Sequence, residues 1–199
     1  MILLLGTKNL NKIREITEIL SDLRDVRLLT CRECSFSDVL EDGRTFEENA
    51  RKKAREICAE TGLPVLAEDS GLEVPALGGA PGVQSARFAG PHKDDRANIE
   101  KLLDVMRNIG DRRAWFRCVA VLAFPDGQEC VSEGILEGKI AHAPAGAWGF
   151  GYDPIFIPDG FSSTLAELEP QMKNKISHRR RALEGIKAYI RAWESKPRR

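Results

Sequence analysis

The first twenty residues, MILLLGTKNLNKIREITEIL (residues 1–20), combine a short apolar run with a helical pattern. Residues 2–5 are all apolar, as in a buried strand. A polar turn at residues 6–9 follows, and apolar side chains then recur at helical spacing, at Leu10, Ile13, Ile16 and Leu20. A strand, a tight turn and a helix in this order predict the first unit of an α/β fold.

Strand and helix patterns alternate along the rest of the chain. Further strands are predicted at 26–29, 63–67, 115–124 and 129–136, the last two as a hairpin around Pro125-Asp126-Gly127. Helices are predicted at 45–60, at 94–106 and from His178 onward, and capping-box patterns occur at 45–48 and 164–167. The hairpin makes the expected sheet mixed rather than purely parallel. No linker divides the sequence, so we predict a single domain over residues 1–199.

The composition is that of an ordinary globular domain, with 42% hydrophobic and 30% charged residues among 199. Thirty Lys and Arg balance thirty Asp and Glu, so no global field attracts nucleic acid. The charges are nevertheless segregated. Residues 170–199 hold ten Lys/Arg and two Asp/Glu, a net of +8, which leaves −8 on the first 169 residues.

Targeting and redox signals are weak. The apolar run at residues 1–5 is too short for a signal peptide or a membrane span, so we expect a cytoplasmic protein. Five cysteines are an odd number, which favours reduced thiols over a disulfide framework. Cys31 and Cys34 form a C-x-x-C pattern, but no second pair or histidines at ligand spacing accompany it, so we interpret them as incidental thiols.

Two helix starts carry cations where acidic residues are usual. The positive end of the helix dipole favours Asp and Glu, yet the first helix begins with Lys8 and Lys12. The last helix begins with His178 and Arg179, followed by two further arginines at 180 and 181. Backbone amides and cations together form a phosphate site, so we assign Lys12 and Arg179 to a bound anion. The two further arginines are expected to face solvent.

Acidic residues offer the complementary chemistry. Glu41 and Asp42 fall in a predicted loop, and Glu68 and Asp69 at the end of a buried strand, where α/β sheets place their ligands. Carboxylates brought together from two such places can hold Mg²⁺, and one of them can accept a proton from water. The alternative is that Asp69 only caps the turn that follows.

A glycine-rich loop contains Phe150-Gly151-Tyr152-Asp153-Pro154. Its aromatic rings can stack on a planar base, with Asp153 near enough to contact that base. Alternatively, Phe150 and Tyr152 fill the core. No G-x-x-x-x-G-K-[ST] phosphate loop or G-x-G-x-x-G fingerprint occurs in a suitable place, so any nucleotide binds to another architecture.

Six segments, taken in order, resemble the Ham1-type inosine triphosphate pyrophosphatases. They are Thr7–Lys12, Gly43–Ala50, Ala67–Leu72, Leu77–Val83, Gly149–Pro154 and Lys173-Asn174 with Ile176–Arg179. The resemblance implies an elongated mixed α/β sheet with flanking helices, arranged as two lobes around a central cleft, and a homodimer. It implies Mg²⁺-dependent hydrolysis of non-canonical purine nucleoside triphosphates (ITP, dITP, XTP) to the monophosphate and pyrophosphate, with no nucleic-acid or membrane partner.

The resemblance also implies roles for individual residues. Triphosphate ligands would be Thr7, Asn9, Lys12, Lys173 and Arg179. Glu41 and Asp69 would hold the metal, Asp69 also accepting the proton with Glu68 beside it, and Lys12 would assist catalysis. Ser70 would contact the substrate, and the base pocket would be lined by Phe150, Gly151, Tyr152, Asp153 and His178.

Three points stay open. Lys8 stands where the family has glycine, and either adds a phosphate contact or marks an ordinary backbone there. Asp42 or Glu33 can substitute for Glu41. The alternatives to the predicted activity are a Maf-like pyrophosphatase of different base specificity and a non-catalytic nucleotide- or nucleic-acid-binding module, which the basic residues 196–199 would serve.

Overall fold

The computed structural model describes residues 1–194, so the basic residues 196–199 lie outside it. Strands and helices largely alternate. In chain order they are β1 (Ile2–Leu5), α1 (Leu10–Ile19), β2 (Arg27–Leu29), α2 (Phe46–Thr61), β3 (Val65–Glu73), α3 (Asp95–Val105), β4 (Arg113–Ala123), β5 (Glu129–Ile140), β6 (Phe156–Pro158), α4 (Pro170–Ile176) and α5 (His178–Glu194). Short 3₁₀ turns cover Pro75–Leu77, Gly82–Arg87 and Asp153–Ile155.

The six strands form one sheet in the order β2-β1-β3-β4-β5-β6. β1 is parallel to β2 and to β3, with Leu4 opposite both Leu29 and Val65. β5 and β6 are antiparallel, with Lys139 opposite Ile157. The sheet is therefore mixed, and the predicted α/β class is confirmed.

The chain divides into two compact units. Unit 1 comprises Met1–Asp69, Cys118–Gly134 and the chain from Arg179 onward. In its core α1 and α5 pack their apolar stripes with the buried side chains of β1, β3 and β4, including Leu3, Leu5, Ile16, Leu66, Leu122, Leu183 and Ile186. Of the apolar residues predicted at helical spacing in α1, Ile13, Ile16 and Leu20 pack in this core, whereas Leu10, at the helix start, is 61% exposed.

Unit 2 comprises Ser70–Arg117 and Ile135–His178 and has a core of its own. That core contains Leu72, Val74, Leu102, Met106, Phe116, Leu136, Ile140, Tyr152 and Phe156. The tilted rings of Phe116 and Phe156, whose centroids are 4.7 Å apart, lie within it. The prediction of a single domain with two lobes stays a prediction.

The third strand is longer than its sequence pattern indicates. The apolar run ends at Ala67, which placed Glu68 and Asp69 at the strand end, but β3 continues to Glu73. Both acids lie inside the strand and are buried. That placement at a strand end is wrong, because ion pairs and hydrogen bonds allow charged side chains to continue the buried strand.

Two predicted helix starts are confirmed and a third is wrong. Thr45 caps α2 in a reciprocal capping box with Glu48, and α5 begins at His178, as expected. The second capping box is wrong as a helix start: the Thr164 amide donates to the Glu167 carboxylate, but the segment is a turn and α4 begins later, at Pro170.

In the described part of the chain no helix has the length and apolar composition needed to cross a membrane.

Candidate functional site

The start of α1 is stabilised by its own side chains. Asn9 is the N-cap, and its side-chain oxygen accepts hydrogen bonds from the amides of Asn11 (3.0 Å) and Lys12 (3.2 Å). Thr7 Oγ1 accepts from the Asn9 amide at 3.2 Å. The first turn has no acidic residue, so the positive helix end is not neutralised within α1. Binding of an anion at this turn stays a prediction.

Lys12 forms an ion pair with Glu68 inside unit 1. Its Nζ lies 3.0 Å from Glu68 Oε1, and only 1% of the Glu68 side chain is exposed. Burial alone would lower the pKa of Lys12, but the attraction of Glu68 outweighs it and the pKa is raised. Lys12 is therefore a permanent cation at the start of α1.

Arg179 joins the same cluster from α5. Its Nε and Nη2 donate to Glu68 Oε1 at 3.3 and 3.2 Å, and its Nη1 donates to Glu15 of α1. Burial opposes charge on both partners, yet Arg179 and then Lys12 lower the pKa of Glu68 well below its usual range. Lys12, Glu15, Glu68 and Arg179 thus form a largely buried cluster of two cations and two acidic side chains.

Cys118 of β4 completes the surroundings of Glu68. Its thiol lies 3.4 Å from Glu68 Oε2 and is fully buried. Burial, assisted by the Glu68 charge, raises the pKa of the Cys118 thiol well above its usual value. The thiol therefore remains protonated and acts as a weak hydrogen-bond donor to the carboxylate.

Glu41 and Asp69, called here the carboxylate pair, share one cation. Lys53 Nζ lies 3.1 Å from Glu41 Oε2 and 3.9 Å from Asp69 Oδ1, and it donates to the Glu68 carbonyl at 2.8 Å. Burial raises the pKa of Asp69, and the charge of Glu41 contributes in the same direction against Lys53 and Lys12. Asp69 is therefore a more basic carboxylate than an exposed aspartate.

The carboxylate pair fits the predicted Mg²⁺. Its oxygens already converge on the charge of Lys53, and Mg²⁺ is usually held by one or two protein carboxylates, with water and phosphate as its other ligands. Within residues 1–194 no group of three or more His, Cys, Asp and Glu side chains is placed to hold a metal. The donors therefore suit a metal shared with a phosphate ligand better than a closed structural site.

A second group of candidate residues lies in unit 2, in the segment 149–153, called here the aromatic loop. Asp153 Oδ2 accepts a hydrogen bond from the Phe150 amide at 2.8 Å and from Lys173, and both charged side chains are buried. Lys173 Nζ also lies 4.7 Å from the centre of the Phe150 ring. Lys173, which the resemblance assigned to phosphate, thus contacts two residues assigned to the base.

Two further hydrogen bonds and one close backbone approach restrict the aromatic loop. The Tyr152 ring is in the core of unit 2, and its hydroxyl donates to the Ser85 carbonyl at 2.9 Å. The Gly151 amide donates to Asp95 Oδ2 at 2.7 Å. At Gly149 φ is +78°, and a Cβ atom there would lie 2.0 Å from Asp153 Oδ2. For Tyr152 the structure agrees with the core alternative, whereas Phe150 is half-buried.

His178 and Ser70 are the remaining residues that the resemblance assigned to substrate. The His178 ring is buried and stacks on Phe116 in unit 2, with ring centroids 4.7 Å apart and an interplanar angle of 12°. Ser70 is half-buried in β3. Their contacts with substrate stay predictions.

The profile of the Ham1 family matches residues 3–189. The chain belongs to the Ham1 family. A Ham1-family relative from Streptomyces coelicolor, named dITP/XTP pyrophosphatase, is 48% identical over 193 residues, 95% of this chain and 96% of that protein. A relative of the same name from Bacillus subtilis is 44% identical over 192 residues, again 95% and 96%.

Solved Ham1 structures have the same fold. A HAM1 protein from Coxiella burnetii is 42% identical, with a TM-score of 0.89 over 96% of this chain and 99% of that one. The Staphylococcus aureus Ham1 protein is 41% identical, with a TM-score of 0.87 and the same coverage. The family resemblance and the fold class predicted from the sequence are confirmed.

Three residues of this Ham1 chain were missed from the sequence. Glu15 is three residues after Lys12 on α1, while Asn49 and Lys53 are four residues apart on α2. All three are polar residues at buried positions of an amphipathic helix. That pattern is the signal that could have identified them, because a buried polar group requires a partner.

Proposed function

We propose that the chain hydrolyses non-canonical purine nucleoside triphosphates, namely ITP, dITP and XTP, to the nucleoside monophosphate and pyrophosphate. The observation that carries the proposal is the carboxylate pair on Lys53, one residue along β3 from the Glu68 partner of Lys12. The two relatives described above carry the name dITP/XTP pyrophosphatase and align over nearly the whole chain, which supports the same activity here.

In the proposed reaction, water attacks the α-phosphorus and the bond to the bridging oxygen of the β-phosphate breaks. Asp69 accepts a proton from the water, a role that suits a carboxylate whose pKa is raised by burial. Lys12 neutralises negative charge on the departing pyrophosphate. Glu68 is held by Lys12 and Arg179, so it acts as their counterion and takes no proton.

Thr7 and Asn9 bind phosphate oxygens at the start of α1, where the helix dipole adds to the charge of Lys12. Glu41 and Asp69 would hold Mg²⁺, which supplies charge neutralisation and orientation of the phosphates. Arg179 keeps Lys12 and Glu68 in place rather than binding phosphate directly, because its side chain is only 2% exposed and its guanidinium donates to two carboxylates.

In unit 2 the aromatic loop recognises the base. Phe150 stacks on the purine, and Lys173 donates a hydrogen bond to the oxygen at position 6 of hypoxanthine or xanthine. Adenine has an amino group at that position, which cannot accept this bond. A site built around one hydrogen-bonding pattern rejects the other by on the order of 10⁴-fold. The contacts of Lys173 with Asp153 and Phe150 support this role over the phosphate role implied by the resemblance.

The test is product analysis with ITP, dITP, XTP, GTP and ATP in the presence of Mg²⁺. Monophosphate and pyrophosphate are expected from the first three at rates well above those for ATP. Diphosphate and inorganic phosphate as products, or equal turnover of ITP and ATP, would contradict the proposal. Asp69→Asn is expected to bind ITP and lose turnover, which also separates catalysis from the non-catalytic binding alternative.

A homodimer and a cytoplasmic location complete the proposal, as the sequence resemblance implies. For the homodimer, light scattering coupled to gel filtration is expected to give twice the 22.1 kDa chain mass. The cytoplasmic location is tested by cell fractionation. A monomeric mass at micromolar concentration, or recovery with the membrane fraction, would contradict these two points.

A further inference from the structure

Asn49 contacts Asp69 and the segment that carries Glu41. It lies on α2, only 3% exposed, and its Nδ2 donates to Asp69 Oδ2 at 2.9 Å. Its Oδ1 accepts from the Gly43 amide at 2.8 Å. The amide orientation is unambiguous, because the carboxylate requires a donor and the backbone amide requires an acceptor.

Gly43 lies in the irregular segment that carries Glu41. A Cβ atom at Gly43 would lie 2.7 Å from Asn49 Oδ1 and 2.8 Å from Glu48 Cβ, so the close approach to α2 requires glycine. The next amide, that of Arg44, donates to Glu48 Oε2 at 2.6 Å. Side chains from the first turn of α2 therefore position this segment, and the first contact is at Gly43, two residues after Glu41.

We propose that Asn49 is a positioning residue for the carboxylate pair. Its single amide group orients the Asp69 carboxylate and holds the segment that carries Glu41, so the two carboxylates are held relative to each other by one side chain. The inference rests on the proposed function, in which Asp69 takes a proton and the pair holds Mg²⁺. Nothing in the Thr45–Ala50 sequence pattern shows this, because the capping box explains only Thr45 and Glu48.

Lys53 cannot replace Asn49 in this role. Its ammonium contacts the same two carboxylates, but a point charge on a four-carbon chain is attracted without fixing the direction of a carboxylate. The Asn49 amide is planar and attached by a short side chain to a buried helix position. Loss of Lys53 removes charge from the pair, whereas loss of Asn49 removes orientation and leaves the charge unchanged.

Two substitutions separate the contacts of Asn49. Asn49→Leu has a similar volume and removes both hydrogen bonds. Asn49→Asp retains an acceptor for the Gly43 amide and replaces the donor to Asp69 by a carboxylate oxygen, which repels it. If the contact with Asp69 matters, both variants lose function. If only the Gly43 contact matters, Asn49→Asp retains function and only Asn49→Leu loses it.

Asn98 is the matched control. It is 2% exposed, accepts from the Ala89 amide at 2.7 Å and donates to the Ala86 carbonyl at 3.1 Å. Like Asn49 it joins two groups by one buried amide, but its two hydrogen bonds within residues 1–194 go to backbone groups and not to a carboxylate. Asn98→Leu and Asn98→Asp therefore measure how far loss of a buried side-chain amide lowers stability and activity when Asp69 is not affected.

The experiment compares these four variants with wild type in kcat and KM for ITP, in Mg²⁺ half-saturation, in calorimetric binding of Mg²⁺ without nucleotide, and in thermal unfolding. Partners of metal ligands typically contribute 10- to 100-fold to affinity or activity. We expect Asn49→Leu to lose about that factor in kcat and in Mg²⁺ affinity. Asn49→Asp is expected to lose it in kcat, because its added carboxylate repels Asp69 although it also attracts Mg²⁺. KM for ITP should change less than about threefold in both variants. We expect the Asn98 variants to keep kcat and Mg²⁺ affinity within about twofold of wild type, while their unfolding temperature falls by about as much as that of the Asn49 variants.

Three results would overturn the inference: a folded Asn49→Leu with wild-type kcat and Mg²⁺ affinity, an Asn49→Asp that behaves as wild type, or equal losses in the Asn98 variants. If Asn49→Leu does not fold, Asn49→Asp carries the test. Calorimetry requires no turnover, so failure of wild type to hydrolyse ITP refutes the proposed function separately. Weaker Mg²⁺ binding by Asn49→Leu would still support the positioning of the pair.

Discussion

Arg179 Nη1 donates to the carboxylate of Glu15 within unit 1, and no more than 5% of either side chain is exposed. This ion pair joins α5 to α1 in the part of the chain that carries Lys12. Removing one partner of a buried ion pair costs about 3–5 kcal/mol, because the other charge remains buried. Without Glu15, Arg179 would still be paired with Glu68, so the loss of unfolding free energy is expected at the lower end of that range.

Glu15→Gln is therefore expected to lower the free energy of unfolding by about 3 kcal/mol, as measured by urea denaturation. Glu100→Gln is the control, because Glu100 and Arg96 form an exposed ion pair on α3. Exposed pairs contribute about 0–1 kcal/mol. Equal effects of the two substitutions would show that the Glu15 pair contributes no more than a surface pair.

Lys12 and Lys8 are expected to differ in their effect on activity. Lys12 is largely buried against Glu68, while Lys8 is exposed and pairs with Asp38 at 2.8 Å. Loss of a charge that stabilises the transition state typically lowers kcat by about 10²–10³-fold. Lys12→Met is expected to show that loss, and Lys8→Met a change below about threefold, in pyrophosphate release from ITP. A large loss for Lys8→Met would indicate a phosphate contact at the position where the family has glycine.

Four of the five cysteines are expected to fall into two classes of reactivity. Cys58 and Cys118 are buried, and burial raises the pKa of both thiols. Because the thiolate is the reactive form, both are protected at pH 8. Cys31 and Cys34 are partly exposed and react first. Alkylation of the native protein followed by mass spectrometry measures the order, and early modification of Cys118 would contradict the buried position described for it.

Glu129 gives stability a defined pH dependence. Its carboxylate accepts from Arg55 and Arg51, and the Arg55 hydrogen bond lowers the pKa of Glu129 against the effect of burial. A group with a lowered folded-state pKa stabilises the protein above its unfolded-state pKa, about 4.3 for Glu, and this contribution is lost as the pH falls through the folded-state value. The difference in unfolding free energy between wild type and Glu129→Gln is thus constant from pH 6 to 8 and shrinks below about pH 4. A difference that grows on acidification would contradict the assignment.

The sequence predicted elements and their caps but not the partners of buried charges. The spacing of apolar residues in α1 and α5 and the capping box at Thr45 are local, so they were recognisable. The Glu15 partner of Arg179 is 164 residues away, and no local pattern joins them. The strand β3 was predicted too short for the same reason, because Glu68 and Asp69 are acceptable inside a buried strand only once their distant partners are known.

The contact between Gly149 and Asp153 restricts directed evolution of the aromatic loop. Any side chain at position 149 would displace the carboxylate that holds Phe150 and Lys173. The neighbouring Trp148, by contrast, exposes 54% of its surface. A saturation library for altered base preference should accept many residues at position 148 and only glycine at position 149.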